Sequence, residues 1–133
     1  MYLALLKQNE KENFLKLAVT LSASDGNFSE EEHFMISQYC DEMGIDNNIP
    51  TNIEKDLIFD EIANNSSLQN KKIIIFELLG LAMSDKKYDK TEEELILTLA
   101  KKSGLDAGYV ANCKEMITKY LKLQNQINNY IIG

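Results

Sequence analysis

The sequence predicts an all-α fold, a single domain over residues 1–133 with about six helices in two pseudo-symmetric three-helix repeats. Three observations predict it. Apolar residues recur at helical spacing through most of the chain, and capping boxes precede several of these stretches. Residues 21–32 also return sixty positions later, in altered form, as residues 81–92. We expect repeat one over about residues 8–63 and repeat two over about residues 68–131.

The repeat keeps the same chemistry at each step of sixty residues. Each copy ends an apolar helical stretch, crosses a short polar turn that starts with an acidic residue, and opens a helix with an acidic first turn. The matched pairs are Asp25 and Asp85, Phe28 and Tyr88, Glu32 and Glu92, Ile36 and Ile96, and Gly44 and Gly104. A regular internal repeat indicates a duplicated structural unit.

The composition is that of a globular chain, with 44% hydrophobic and 26% charged residues. Its strongest apolar run, residues 73–81, is interrupted by Glu77, so no direct membrane insertion is expected. Twenty-one acidic against fourteen basic residues give a net charge of -7, which disfavours a nucleic-acid partner and favours cations or basic protein surfaces. The first seven residues lack signal-peptide features and the two cysteines form no motif, so a cytoplasmic location is expected.

The first two helices flank the first acidic turn. A short apolar arm over residues 1–6 should precede helix one, which begins between Gln8 and Glu10 and runs to Ala23. Ser29-x-x-Glu32 is a capping box that starts helix two, and Gly44 ends it. The expected inner residues are Phe14, Leu15, Ala18, Val19 and Ser22 in helix one, and Met35, Ile36, Tyr39, Cys40 and Met43 in helix two.

Helix three and helix four follow a loop that ends at Pro50. Thr51-x-x-Glu54 and Ser66-x-x-Gln69 are capping boxes that should start them. Helix three should turn Ile53, Leu57, Ile58 and Ile62 inward, and helix four is the most hydrophobic and should be the most buried. Gly80 and Ala82 match Thr20 and Ser22 one repeat earlier, so we expect the first and fourth helices to cross there.

Helix five repeats the second helix. Asp89-x-x-Glu92 caps its start and Gly104 ends it. Its expected inner residues are Leu95, Ile96, Leu99 and Ala100. The last helix, from Asp106, is then the elongated third member of repeat two.

The last helix carries a stripe of residues at alternating four-three spacing, namely Tyr109, Cys113, Met116, Tyr120, Leu123, Ile127 and Tyr130. Such a stripe is typical of a coiled-coil seam. A second apolar row at Val110, Ile117 and Leu121 widens the face and favours packing on the same domain, with the first four stripe residues buried. The tail beyond Gln124 should project, and its apolar residues are a candidate surface for a partner protein or a homodimer through the C-terminal helix.

Both acidic turns resemble those of the TerB-like family, the tellurite-resistance protein B fold, whose repeated units have the form Ala-x-x-Asp-Gly-x-apolar-x-x-x-Glu. The first copy has Ser22, Asp25, Gly26, Phe28 and Glu32, with serine at the alanine position. The second copy has Ala82, Asp85, Tyr88 and Glu92, with Lys86 at the glycine position. The resemblance covers residues 10–120 and implies an all-α fold, divalent-cation binding at acidic positions, and stress-response or membrane-linked assemblies without known catalysis.

The candidate metal residues are Asp25, Glu32, Asp85 and Glu92. A carboxylate in each turn and another seven residues on can converge on one cation, and oxygen-only ligands favour calcium or magnesium over zinc. Glu32 and Glu92 also have a simpler interpretation, since the third residue of a helix is where a glutamate completes a capping box. His33 and Cys40 are too far apart on one helix for a catalytic pair and are expected on a solvated face and in the core.

Three functions remain open. The first is a non-enzymatic cytoplasmic module that binds a divalent cation weakly at the acidic turns and docks a protein partner. The second is a purely structural scaffold whose acidic residues only cap helices. The third, a metal-dependent hydrolase, requires both acidic pairs in one cleft.

Overall fold

The computed structural model describes residues 1–23, 29–84 and 88–133, and within these ranges the chain is helical with no strand. The all-α prediction is therefore confirmed. A single 3-10 turn at Leu3–Leu5 precedes α1 (Gln8–Ser22), α2 (Glu30–Met43), α3 (Lys55–Asn65), α4 (Leu68–Ser84), α5 (Lys90–Lys102) and α6 (Ala107–Ile132).

Helices α1 and α4 form the centre of the core. They pack on each other, α1 also packs on α2 and α3, and α4 also packs on α5, α6 and the 3-10 turn. The buried positions of α1 recur in α4 after the same step of sixty residues, from Glu10 and Asn70 to Ser22 and Ala82. Helix α4 is apolar on most of its surface, which agrees with its expected burial.

The outer helices use the faces that the sequence indicates. Ile36, Cys40 and Met43 of α2 are buried, as are Leu95, Ile96, Leu99 and Ala100 of α5. Gly44 and Gly104 end these helices with φ of 70° and 81°, left-handed values that favour glycine. The 3-10 turn packs on α2 and α4, whereas α3 packs on α1 and α5.

Two predicted helix starts were wrong. Helix α3 begins at Lys55 rather than after Thr51, because Asn52 has a φ of 55° and interrupts the helix there. For α4 the cap is Ser67, whose Oγ accepts the Asn70 N–H at 3.1 Å, while the Ser66 hydroxyl interacts with Glu10 instead.

Two expected core contacts also differ. Leu57 is 62% exposed, because α3 turns Ile58, Phe59 and Ile62 toward the core. A Cβ placed on Gly80 would meet no neighbouring atom within 4 Å, so α1 and α4 do not approach closely at Gly80. Ser22 and Ala82 are nevertheless buried, and α1 and α4 are also joined at their first turns, where Asn70 bonds Glu10.

Helix α6 is rotated relative to the prediction. Val110, Cys113 and Ile117 are its buried residues, whereas Met116 is 56% and Tyr120 is 47% exposed. Val110 and Ile117 of the second apolar row therefore pack on α4 and α5 together with Cys113, whereas Met116 and Tyr120 of the four-three stripe are exposed. Every residue after Ile117 is exposed, so the C-terminal half of α6 projects, as expected for the tail.

Candidate functional site

Glu32 is a helix-capping residue. Its Oε1 accepts the Ser29 N–H at 3.1 Å and the Ser29 hydroxyl at 3.0 Å, and its own N–H donates to Ser29 Oγ at 3.1 Å. These bonds form both halves of the predicted capping box. Glu32 is 9% exposed, so its carboxylate is largely buried against the first turn of α2.

Glu92 occupies the matching position in α5. Its N–H donates to Asp89 Oδ1 at 2.8 Å, so Asp89 is the predicted N-cap. Glu92 is also 9% exposed. The two glutamates thus share a helix position and a degree of burial.

The other two candidate ligands, Asp25 and Asp85, lie outside the described residues. The residues that flank the two turns nevertheless come together. Glu30 and Glu31, which follow the first turn, line a shallow cleft of about 410 Å³ with Ser84, which precedes the second. In the three described ranges, no group of three or more His, Cys, Asp or Glu side chains is arranged to hold a metal.

His33 and Cys40 lie two turns apart along α2. His33 is exposed and Cys40 is fully buried, in agreement with a solvated face and a core position. Burial raises the pKa of the Cys40 thiol, and the Asp41 carboxylate adds to the effect. The thiol is therefore less nucleophilic than a free cysteine.

An apolar groove of about 750 Å³ lies between the N-terminal residues, α4 and α6. Met1, Tyr2 and Leu5 form one wall and Leu68 and Phe76 contribute to the floor. Tyr109, Met116 and Tyr120 of α6 form the opposite wall. Met116 and Tyr120, which the sequence analysis expected in the core, thus line this groove.

Two acidic residues hold the N-terminal wall of the groove in place. The Met1 ammonium lies 3.1 Å from Glu77 Oε1 and 3.2 Å from Glu42 Oε1, and the Leu3 N–H donates to Glu42 Oε2 at 2.8 Å. The Tyr2 ring meets Phe76 edge-on at 6.3 Å between centroids. The wall is therefore fixed by charge-assisted bonds on one side and an aromatic contact on the other.

Tyr109 ties the α6 wall to α4. Its hydroxyl donates to the Lys72 carbonyl at 2.9 Å, and Lys72 Nζ lies 5.8 Å from the ring centroid. Burial raises the pKa of Tyr109 above its ordinary value of 10, which further favours the protonated phenol that donates this bond. Past this tyrosine a second cleft of about 520 Å³ continues toward Cys113 and shares Met116 with the groove.

The sequence contained one signal for this groove that the prediction did not use. The four-three stripe and the second row of α6 lie about 100° apart, so a core contact centred on the second row leaves part of the stripe facing solvent or a partner. No helix in the described part of the chain is both long and apolar enough to cross a bilayer. Comparison with family models, curated proteins and solved structures gives no match.

Proposed function

We propose that this chain is a non-catalytic helical docking module whose groove receives one amphipathic helix of a protein partner. The apolar groove between the N-terminal wall, α4 and α6 carries the proposal. Its half-exposed large side chains, among them Leu5, Leu68, Met116 and Tyr120, form a continuous apolar patch. Patches of this kind mark interaction sites, and apolar grooves between helices accept the apolar face of another helix.

A selection from displayed amphipathic peptides tests the docking proposal. Peptides enriched on the protein should carry apolar anchors at helical spacing and should lose binding to Leu68→Asp, which places a charge in the groove. Leu57→Asp is the matched control, because Leu57 is equally exposed but lies on α3, outside the groove. Selected peptides that bind Leu68→Asp as tightly as the wild type would refute docking in this groove.

The second proposed activity is weak divalent-cation binding by Asp25, Glu32, Asp85 and Glu92, with calcium or magnesium favoured over zinc. The cleft shared by Glu30, Glu31 and Ser84 supports it, since residues beside both turns lie at one end of the bundle. The Ser29–Glu32 bonds favour the alternative in which these glutamates only cap helices.

Calorimetric titration with calcium, magnesium, manganese and zinc separates the two possibilities. The wild type should release or absorb heat that is lost when Asp25→Asn and Asp85→Asn are combined. Asp46→Asn and Asp56→Asn, combined, are the control, because they remove the same charge elsewhere. Equal heats in all three proteins would leave the scaffold interpretation.

We also propose that the fold is a TerB-like duplication that works in a cytoplasmic stress-response assembly. The burial pattern shared by α1 and α4 supports the duplication. The contacts pair the 3-10 turn, which packs on α4 and α2, with α3, which packs on α1 and α5. In this proposal α3 therefore opens the second unit, instead of closing repeat one with the last helix as its counterpart, as the sequence analysis expected. An experimental structure in which residues 8–45 fail to superpose on residues 68–105 would remove this proposal.

A further inference from the structure

The groove and the projecting half of α6 share one stripe of apolar residues. Met116 and Tyr120 line the groove, and Leu123, Ile127 and Tyr130 continue the same stripe beyond the body of the protein. All five side chains are exposed in the single chain. Whatever covers this surface must fit both the groove and the stripe.

The projecting half of α6 needs a packing surface to remain helical. Every residue from position 118 to 133 is exposed, and isolated helices of about 15 residues are marginal in water. Asn125, Asn128 and Asn129 are weak helix formers and make this segment weaker still. A helix that runs to Ile132 therefore implies a partner that packs along it.

We propose that the occupant of the groove is the C-terminal helix of a second copy of this chain, paired antiparallel with the first. This inference rests on the proposed function, in which the groove receives a helix. The four-three spacing allows one register in which Tyr120 faces Leu123 of the second copy and Met116 faces its Ile127. Tyr130 of the second copy then lies over the second cleft, beside position 113.

An antiparallel pair fits where a parallel pair does not. In a parallel pair the two bodies, each packed around residues 107–117, would meet at the same end and leave both grooves open. In the antiparallel pair each projecting helix enters the groove of the other copy, and the contact is closed by a two-fold axis. Both uncovered surfaces are then buried at once.

The charge distribution agrees with this arrangement. All 21 acidic residues lie within the first 115 positions, so the two bodies repel each other and are best held at opposite ends of the paired helices. The segment that enters the groove, residues 124–132, carries no charge. Lys72 at the groove therefore meets no like charge from the incoming helix.

Sedimentation of the full chain over a range of concentrations is the first test. We expect a dimer that Ile127→Asp weakens by about tenfold or more, because this side chain anchors the interface. Asn125→Asp adds the same charge about 200° around the helix and should leave the dimer intact. A wild type that stays monomeric at every concentration up to about 1 mM, or equal weakening by both variants, would overturn the proposal.

Disulfide formation tests the register. Chains with Met116→Cys and chains with Ile127→Cys are oxidised separately and then as a mixture. The antiparallel register predicts a cross-linked dimer in the mixture alone. A cross-link in Ile127→Cys by itself indicates a parallel pair and overturns the proposal, as does the absence of any cross-link in the mixture.

The groove variant separates this proposal from the docking function itself. Leu68→Asp should weaken the dimer, whereas Leu57→Asp should not. A dimer that survives Leu68→Asp overturns the assignment of the groove to the second copy. If the wild type is monomeric and still binds selected peptides through the groove, the groove is not occupied by a second copy, and the docking function stands.

Discussion

Glu10 and Asn70, which are sixty residues apart, bond each other directly. Asn70 Nδ2 donates to Glu10 Oε1 at 2.8 Å, and the Lys7 N–H donates to the same oxygen at 2.8 Å. Both side chains are buried, at the first turns of the two central helices. This bond joins the positions that the repeat makes equivalent.

Asn70→Ala should lower the free energy of unfolding by about 1.5 to 3 kcal/mol, because a buried carboxylate loses a donor. Asn9→Ala is the matched control. Asn9 Nδ2 donates to Glu61 Oε1 at 3.2 Å, which is also an amide-to-carboxylate bond but lies on the surface. Loss of this exposed bond should cost less than about 0.5 kcal/mol. Urea denaturation measures both, and equal costs would contradict a special role for the buried bond.

Glu10 should also contribute to acid sensitivity. Burial alone would raise the pKa of this carboxyl, but hydrogen bonds from Ser66, Lys7 and Asn70 outweigh burial and hold the pKa below its usual value of 4.5. The stabilisation is therefore present above pH 4.5 and is lost as the pH falls through the lowered pKa. The free energy of unfolding should change less between about pH 3 and 7 for Glu10→Gln than for the wild type.

The pKa of Glu77 is shifted in the opposite direction to that of Glu10. Burial raises the pKa of its carboxyl, and the Met1 ammonium offsets this only in part. A raised pKa favours the folded state at low pH, and that contribution is lost as the pH rises through it, so the ionised carboxylate costs stability at neutral pH.

Glu77→Leu should therefore raise the free energy of unfolding at pH 7 by about 1 kcal/mol or more, with a smaller gain near pH 4. Leucine is the residue that occupies the matching buried position, Leu17. Thermal unfolding at the two pH values measures the difference. A loss of stability at pH 7 would show that the pair with Met1 outweighs the burial of the carboxylate.

Two neighbouring residues test the rotation of α6. Ile117→Ala should lower the free energy of unfolding by about 2 to 5 kcal/mol, because it leaves a cavity against α4 and α5. Met116→Ala removes a half-exposed side chain and should cost less than about 1 kcal/mol in the monomer. Chemical denaturation at low protein concentration measures both costs. A larger cost for Met116→Ala than for Ile117→Ala would show that Met116 packs in the core, as the sequence analysis expected.

The capping role of the first acidic turn has its own test. Ser29→Ala should cost about 1 kcal/mol, since Ser29 Oγ accepts the Glu32 N–H, whereas Glu32→Gln should cost little because glutamine also completes a capping box. Ser37→Ala, in the middle of α2, is the control and should not lower the melting temperature. A chelator that lowers the melting temperature of the wild type by several degrees would show that capping is not the whole role of these acids.

Local signals predicted α1, α2 and α5 well. The Ser29 and Asp89 caps and the terminal glycines are decided within a few residues, and the inner faces follow helical periodicity. The late start of α3 depends on the positive φ of Asn52, which periodicity does not encode.

The groove could not be predicted in the same way. The two apolar rows of α6 have equal helical periodicity, and the choice between them depends on how α4 and α5 receive the helix. Its other wall comes from the N-terminal residues, which Glu42 and Glu77 hold from distant parts of the chain. Contacts between such separated residues leave no local pattern in the sequence.

The uncovered C-terminal half of α6 has a consequence for the lifetime of the protein. An unpaired segment that packs on nothing unfolds easily and is open to proteases, whereas a paired segment is protected. Because pairing follows mass action, dilute chains would lose this segment first and concentrated chains would keep it. The amount of protein made would then set how long each copy survives intact.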